Sequence, residues 1–131
     1  MIEKEILQKY YRVYAKIDLD AIENNIIEMK KNLGEHTQMA AVLKTDGYGH
    51  GAVPIASVIK DKVRAFAVAT IDEGMNLRRH GIENDIFILG FLPDSRIDDA
   101  IKNNIWPAIF SFEMAQKISR KAEKDGIQAK I

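Results

Sequence analysis

The 131-residue chain has no cysteine. That absence excludes a disulfide scaffold, a thiolate zinc site and a cysteine nucleophile. An excess of charge is lacking too, because 19 Lys and Arg balance 19 Asp and Glu. A chain so balanced carries no footprint of a nucleic-acid surface or a polybasic membrane patch. No apolar run reaches the ~20 residues that span a bilayer. The opening MIEKEILQKYYRVYAKIDLD is too charged for the apolar core of a secretory signal. Low-complexity segments and strong internal repeats are also missing. A soluble cytoplasmic protein, without nucleic-acid or membrane partners, is the expectation.

What is present reads as globular. Hydrophobic residues make up 47% and charged residues 29%, and the length suits one domain with a real core. Short apolar runs alternate with helical patterns. Val13 to Leu19 (VYAKIDL) alternates like a strand. Asp20 to Leu33 reads as a helix, with Asp20 as N-cap, Gly34 past its end, and Ile22, Ile26, Met29 and Leu33 on one face. Met39 to Leu43 is a strand apolar enough to be buried on both faces. A glycine-rich loop from Thr45 to Gly51 leads to a helix at Ala52 to Lys60, with Pro54 in its first turn. Strand Ala65 to Ala69, helix Ile71 to His80, strand Ile86 to Leu89 and helix Asp94 to Asn103 follow. Then come strand Pro107 to Phe110, a helix from Phe112 to Lys124 stopped by Gly126, and the start of a strand at Gln128 to Ile131.

Repeated β-α units with short connections predict a parallel sheet with helices outside it. Two closures remain, an open doubly wound sheet and a (β/α) barrel. A whole barrel takes about 250 residues. The chain therefore supplies about half of one and stops in mid-pattern, as expected of a piece of a longer protein.

The stretch most suited to chemistry is Ala41 to Ala52, AVLKTDGYGHGA. Lys44 directly follows an apolar strand, and Gly47, Gly49 and Gly51 come soon after. In parallel α/β folds the C-terminal strand ends carry the site. A lysine there has an apolar bed for its stem and its amine at the mouth, the setting of Schiff-base lysines. The glycines let backbone approach a ligand closely, and the Tyr48 hydroxyl can reach a phosphate oxygen. The glycines follow Lys44, so this is not a Walker loop. Taken alone, the spacing supports a ligand-binding strand end or an ordinary solvated turn.

Other polar residues have plainer readings. His50 supports the loop by a hydrogen bond. Asp72 and Glu73 cap or flank a helix start. Arg78 and Arg79 lie on a solvated helix face, and His36 and His80 sit in or near loops. Trp106 packs at a strand edge. Asp18 and Asp20 form the nearest approach to a metal pair, but a strand end and a cap account for them, and no metal site is expected.

AVLKTDGYGHGA resembles the cofactor-lysine signature of alanine racemases, a strand of the form A-V-[VL]-K leading into Y-G-H-G. Tyr11 to Asn25, YRVYAKIDLDAIENN, is similar to that family's opening segment. Phe66 to Gly81, FAVATIDEGMNLRRHG, resembles its next strand and helix, and Ile86 to Gly90, IFILG, a further strand. The resemblance as a whole runs from about Arg12 to the last residue. Thr45, Asp46 and Gly47 depart from the Ala-Asn-Ala or Ala-Asp-Ala of many members. Residues 1–10 are longer than the usual start and have no assigned role.

The resemblance implies a parallel (β/α) barrel of the TIM type, about half of it within residues 1–131. It implies pyridoxal 5'-phosphate (PLP), held covalently by Lys44 and hydrogen-bonded at its phosphate by Tyr48. Lys44 would also move a proton at one face of the substrate α-carbon. The implied reaction interconverts L- and D-alanine for peptidoglycan, in a homodimer. The rest of the barrel, a β-rich C-terminal domain and a tyrosine from the partner would complete the site. This piece alone is then expected to be inactive and prone to associate through its sheet edges. Alternatives are a serine or broad-specificity racemase, a decarboxylase of the same barrel, a non-catalytic PLP-binding barrel protein and an inert fragment.

Overall fold

The computed structural model describes residues 13–131. The 1–10 extension, and Tyr11 and Arg12 of the opening segment, lie outside the described residues. Four strands form one sheet: β1 (Ala40–Val42), β2 (Ala65–Val68), β3 (Asp85–Ile88) and β4 (Ile105–Pro107). All pair in parallel and lie side by side in chain order. Helix α1 (Leu19–Lys31) precedes β1. Helices α2 (Ala52–Ile59), α3 (Ile71–Arg79) and α4 (Ile97–Lys102) make the crossovers, and α5 (Phe112–Asp125) follows β4. A doubly wound sheet would reverse its strand order at a switch point. Order kept without reversal is that of a (β/α) barrel, of which these strands form an arc.

Register explains where the core sits. Ala41, Phe66, Ile86 and Ile105 form one row across the sheet. Phe66 and Ile86 are wholly buried and Ile105 nearly so, and each side chain of that size contributes about 1.5–3 kcal/mol on burial. The next row, Val42, Ala67, Phe87 and Trp106, faces the other way. Phe87 and Trp106 meet edge to face, with ring centroids 5.0 Å apart. This second face is the concave side of the arc, and Val42 there is 41% exposed. Among the described residues no helix is long and apolar enough to cross a membrane.

Several expectations change. Val13 to Asp18 forms no strand, and Val13 and Tyr14 are exposed. Alternation only makes a strand where a partner supplies hydrogen bonds and a face to cover, and no described strand does so here. The first helix starts one residue before Asp20. Asp18 is its N-cap and accepts from Ala21 N at 2.9 Å, leaving Asp20 in the first turn. β1 is not buried on both faces, because its concave side is open and it ends the sheet of described strands. The last strand comes earlier than expected, at Ile105–Pro107. Pro107 is tolerated because β4 is also terminal among the described strands. Residues 128–131 are not in a strand.

Candidate functional site at the end of β1

Residues 44–48 turn the chain in an uncommon way. Thr45, Asp46, Gly47 and Tyr48 all have positive φ, between 52° and 63°. Gly49 N donates to Thr45 O at 3.0 Å, so the segment is one turn of left-handed helix. Each L-residue in that conformation costs about 1–2 kcal/mol, and β-branched Thr45 is especially disfavoured. Runs of such residues persist only where their surroundings over-determine them, and they gather at functional sites.

Local contacts hold the turn. Gly47 N donates to Leu43 O at 2.9 Å, and Gly51 N to Asp46 O at 2.8 Å. The Asp46 carboxylate accepts from Ala52 N at 2.8 Å, so it caps α2, whose own N-cap Gly51 has no side chain to do so. Gly47 is buried against Ile55 and the start of α2. His50 Nδ1 lies 3.1 Å from Tyr48 O, the loop support expected of it. The longest-range contact comes from Glu73, whose Oε1 accepts from Thr45 N at 2.9 Å.

The turn brings the two expected site residues together. Lys44 is half-buried, two positions beyond the last residue of β1, and its Nζ lies 5.7 Å from the Tyr48 ring centroid. Among the described residues no carboxylate pairs with this amine. Tyr48 is 58% exposed, so its hydroxyl is accessible from the rim. A free amine beside an accessible phenol, on a backbone pinned from several sides, fits an aldehyde cofactor that also carries a phosphate.

The other candidates fall elsewhere. Arg78 is not on a solvated face. Its guanidinium is half-buried and donates to the carbonyls of Ile82, Asn84, Asn103 and Asn104, tying α3 to the loops before β3 and β4. Burial lowers its pKa, while Asp85 and Glu83 oppose that shift. Arg79 is exposed, as are His36 and His80, and His80 Nδ1 sits 2.9 Å from Asn76 O. Asp72 pairs with Arg96 instead of the site. Trp106 lies within β4 with its Nε1 buried and without a partner among the described residues. Glu73 caps the start of α3 as expected, but its contact with Thr45 and the cap that Asp46 gives α2 were missed by sequence reasoning. The spacing Thr70-x-x-Glu73 does signal a capping box, which is formed, but nothing local announces the reach to Thr45.

The geometry defines a class, that of parallel (β/α) barrel proteins with a lysine amine presented at the C-terminal end of a strand. The model of the family described as "Alanine racemase, N-terminal domain" matches residues 17–131. This chain belongs to that family. It is 42% identical over 120 residues to an alanine racemase of Clostridium tetani, covering 91% of this chain and 31% of that protein. With one of Desulforamulus reducens it shares 38% over 120 residues, covering 91% and 32%. The solved alanine racemase of Clostridium difficile superposes with a TM-score of 0.83 at 42% identity, covering 86% of this chain and 30% of that one. A histidine racemase of Leuconostoc mesenteroides superposes with a TM-score of 0.75 at 25% identity, covering 86% and 30%. The chain spans about a third of the length of the curated relatives it matches.

Proposed function

We propose that this chain carries the cofactor-lysine half of the barrel of a PLP-dependent amino-acid racemase, with alanine as substrate. One observation carries the reading: Lys44 presents an amine free of ion pairs among the described residues, at the end of a parallel strand, on a strained turn beside Tyr48. The names of the relatives support alanine. Similarity to a histidine racemase favours a second reading, in which this half serves more than one substrate and selectivity is set elsewhere.

When bound, PLP supplies an electron sink that stabilises negative charge at the substrate α-carbon. Lys44 anchors the cofactor through its amine and afterwards carries a proton to or from one face of that carbon. Tyr48 donates its hydroxyl hydrogen to the cofactor phosphate and so orients it. Racemisation needs a second proton carrier on the opposite face. By the resemblance this is a tyrosine from a β-rich C-terminal domain of a partner subunit, in a homodimer of the full-length protein. The D-alanine formed would serve peptidoglycan synthesis in the cytoplasm.

The test is borohydride reduction of the protein mixed with PLP, followed by peptide mapping beside Lys44→Ala. A reduced phosphopyridoxyl group on Lys44, absent from the variant, is the expected result. Labelling spread over surface lysines and unchanged in the variant would sink the assignment. The 131-residue chain is expected not to racemise alanine by itself. Robust turnover by it would show that the second proton carrier lies within these residues.

A further inference from the structure

We propose that Glu73 is a positioning residue for Lys44, an inference that rests on the reading of Lys44 as the cofactor lysine. Its carboxylate takes three backbone hydrogens from two loops. Oε1 accepts from Thr45 N at 2.9 Å, and Oε2 from Ala69 N at 2.7 Å and Thr70 N at 3.3 Å. A capping box requires only that Glu73 reach back to Thr70 N. That contact is the longest of the three, and the two short ones go to the residue after Lys44 and to the residue after β2.

Lys44 is thereby held from both sides. On one side Leu43 is buried and its N–H donates to Ala67 O at 2.8 Å. On the other the Thr45 N–H is held by Glu73. Thr45 opens the left-handed turn, and the first amides of any helical turn lack an internal acceptor. A carboxylate supplies a charge-assisted acceptor there, stronger than a neutral one. Glu73 also sits at the N-terminus of α3, where negative charge is favoured. The carboxylate thus ties the ends of β1 and β2 together and fixes the direction in which the strained turn presents the amine.

The chemistry of the amide isostere separates this role from capping. In Glu73→Gln the side-chain carbonyl can still accept from Ala69 and Thr70, but the NH2 then faces the Thr45 N–H, donor against donor. Thr70→Ala is the structural control, because it removes only the hydroxyl that accepts from Glu73 N. Three readouts are taken on the 131-residue chain: Thr45 amide exchange by NMR, the PLP concentration that half-labels Lys44 after borohydride, and the thermal midpoint. In Glu73→Gln the Thr45 amide should exchange about tenfold faster and half-labelling should need about tenfold more PLP. Thr70→Ala should lower the midpoint and leave both Lys44 readouts at wild-type values. The proposal is overturned if Glu73→Gln leaves both unchanged, or if Thr70→Ala moves them as far. Should Glu73→Gln not fold, the wild type decides: a Thr45 amide as protected as that of Ala69 supports the clamp, and free exchange overturns it. Absence of any adduct in the wild type would remove the cofactor reading, while Thr45 exchange would still judge the clamp.

Discussion

At Gly90 a β-carbon would stand 2.4 Å from Ala69 O, a distance that real β-carbons do not tolerate. The chain leaving β3 passes this close to the end of β2. Gly90→Ala should therefore push the two strand ends apart and destabilise the fold by about 2 kcal/mol or more, read from the urea midpoint. At Asp46 the opposite holds, because a side chain is needed. Asp46→Ala removes the acceptor for Ala52 N and should cost about 1 kcal/mol. Asp46→Asn keeps a side-chain oxygen and should restore most of the loss in the same measurement. That Lys44 and Tyr48 lie together past a strand end was legible because strand, lysine and glycine-rich loop are contiguous. Asp46, Glu73 and Arg78 were not, because each acts on backbone groups that only folding brings near.

Helix starts show where local rules suffice among the elements. Thr70 and Ser111 cap α3 and α5 with their own hydroxyls, and Gly126 ends α5 in the left-handed conformation. Between helices, partly exposed ion pairs add to the apolar contacts of the core. Arg96 of the turn before α4 pairs with Asp72 of α3, and Lys121 of α5 pairs with Asp98 of α4. The hydrogen bond from Arg96 holds the Asp72 carboxyl below its ordinary 3.8, and that from Lys121 does the same for Asp98. Carboxyls depressed on folding stabilise the native state above the unfolded value, and this contribution is lost as pH falls through the lower folded values. The thermal midpoint should thus fall below about pH 4, and less steeply in the double variant Asp72→Asn with Asp98→Asn. An equal fall in both proteins would assign the acid limb to other carboxyls. Added salt should shrink the difference between them, since the pairs are exposed.

Over the whole molecule the arc is one-sided. Helices cover the convex face, while Val42, Leu89, Phe91 and Phe110 stay exposed, and β1 and β4 each lack a second neighbour among the described strands. Unpaired strands beside apolar surface invite association. The 131-residue chain is expected to dimerise as its concentration rises, and sedimentation showing a monomer throughout would count against it. The sequence by itself determined the alternation of strands and helices, the parallel sheet and the place of Lys44 just past a strand end. These rest on periodicity, turn residues and a contiguous motif, all encoded within a few positions of one another. Only the tertiary structure decided that 13–18 forms no strand, that residues 45–48 wind left-handed, and that Glu73 and Arg78 anchor distant backbone. Those outcomes depend on which donors and acceptors find partners, and the partners stand up to 28 residues away along the chain.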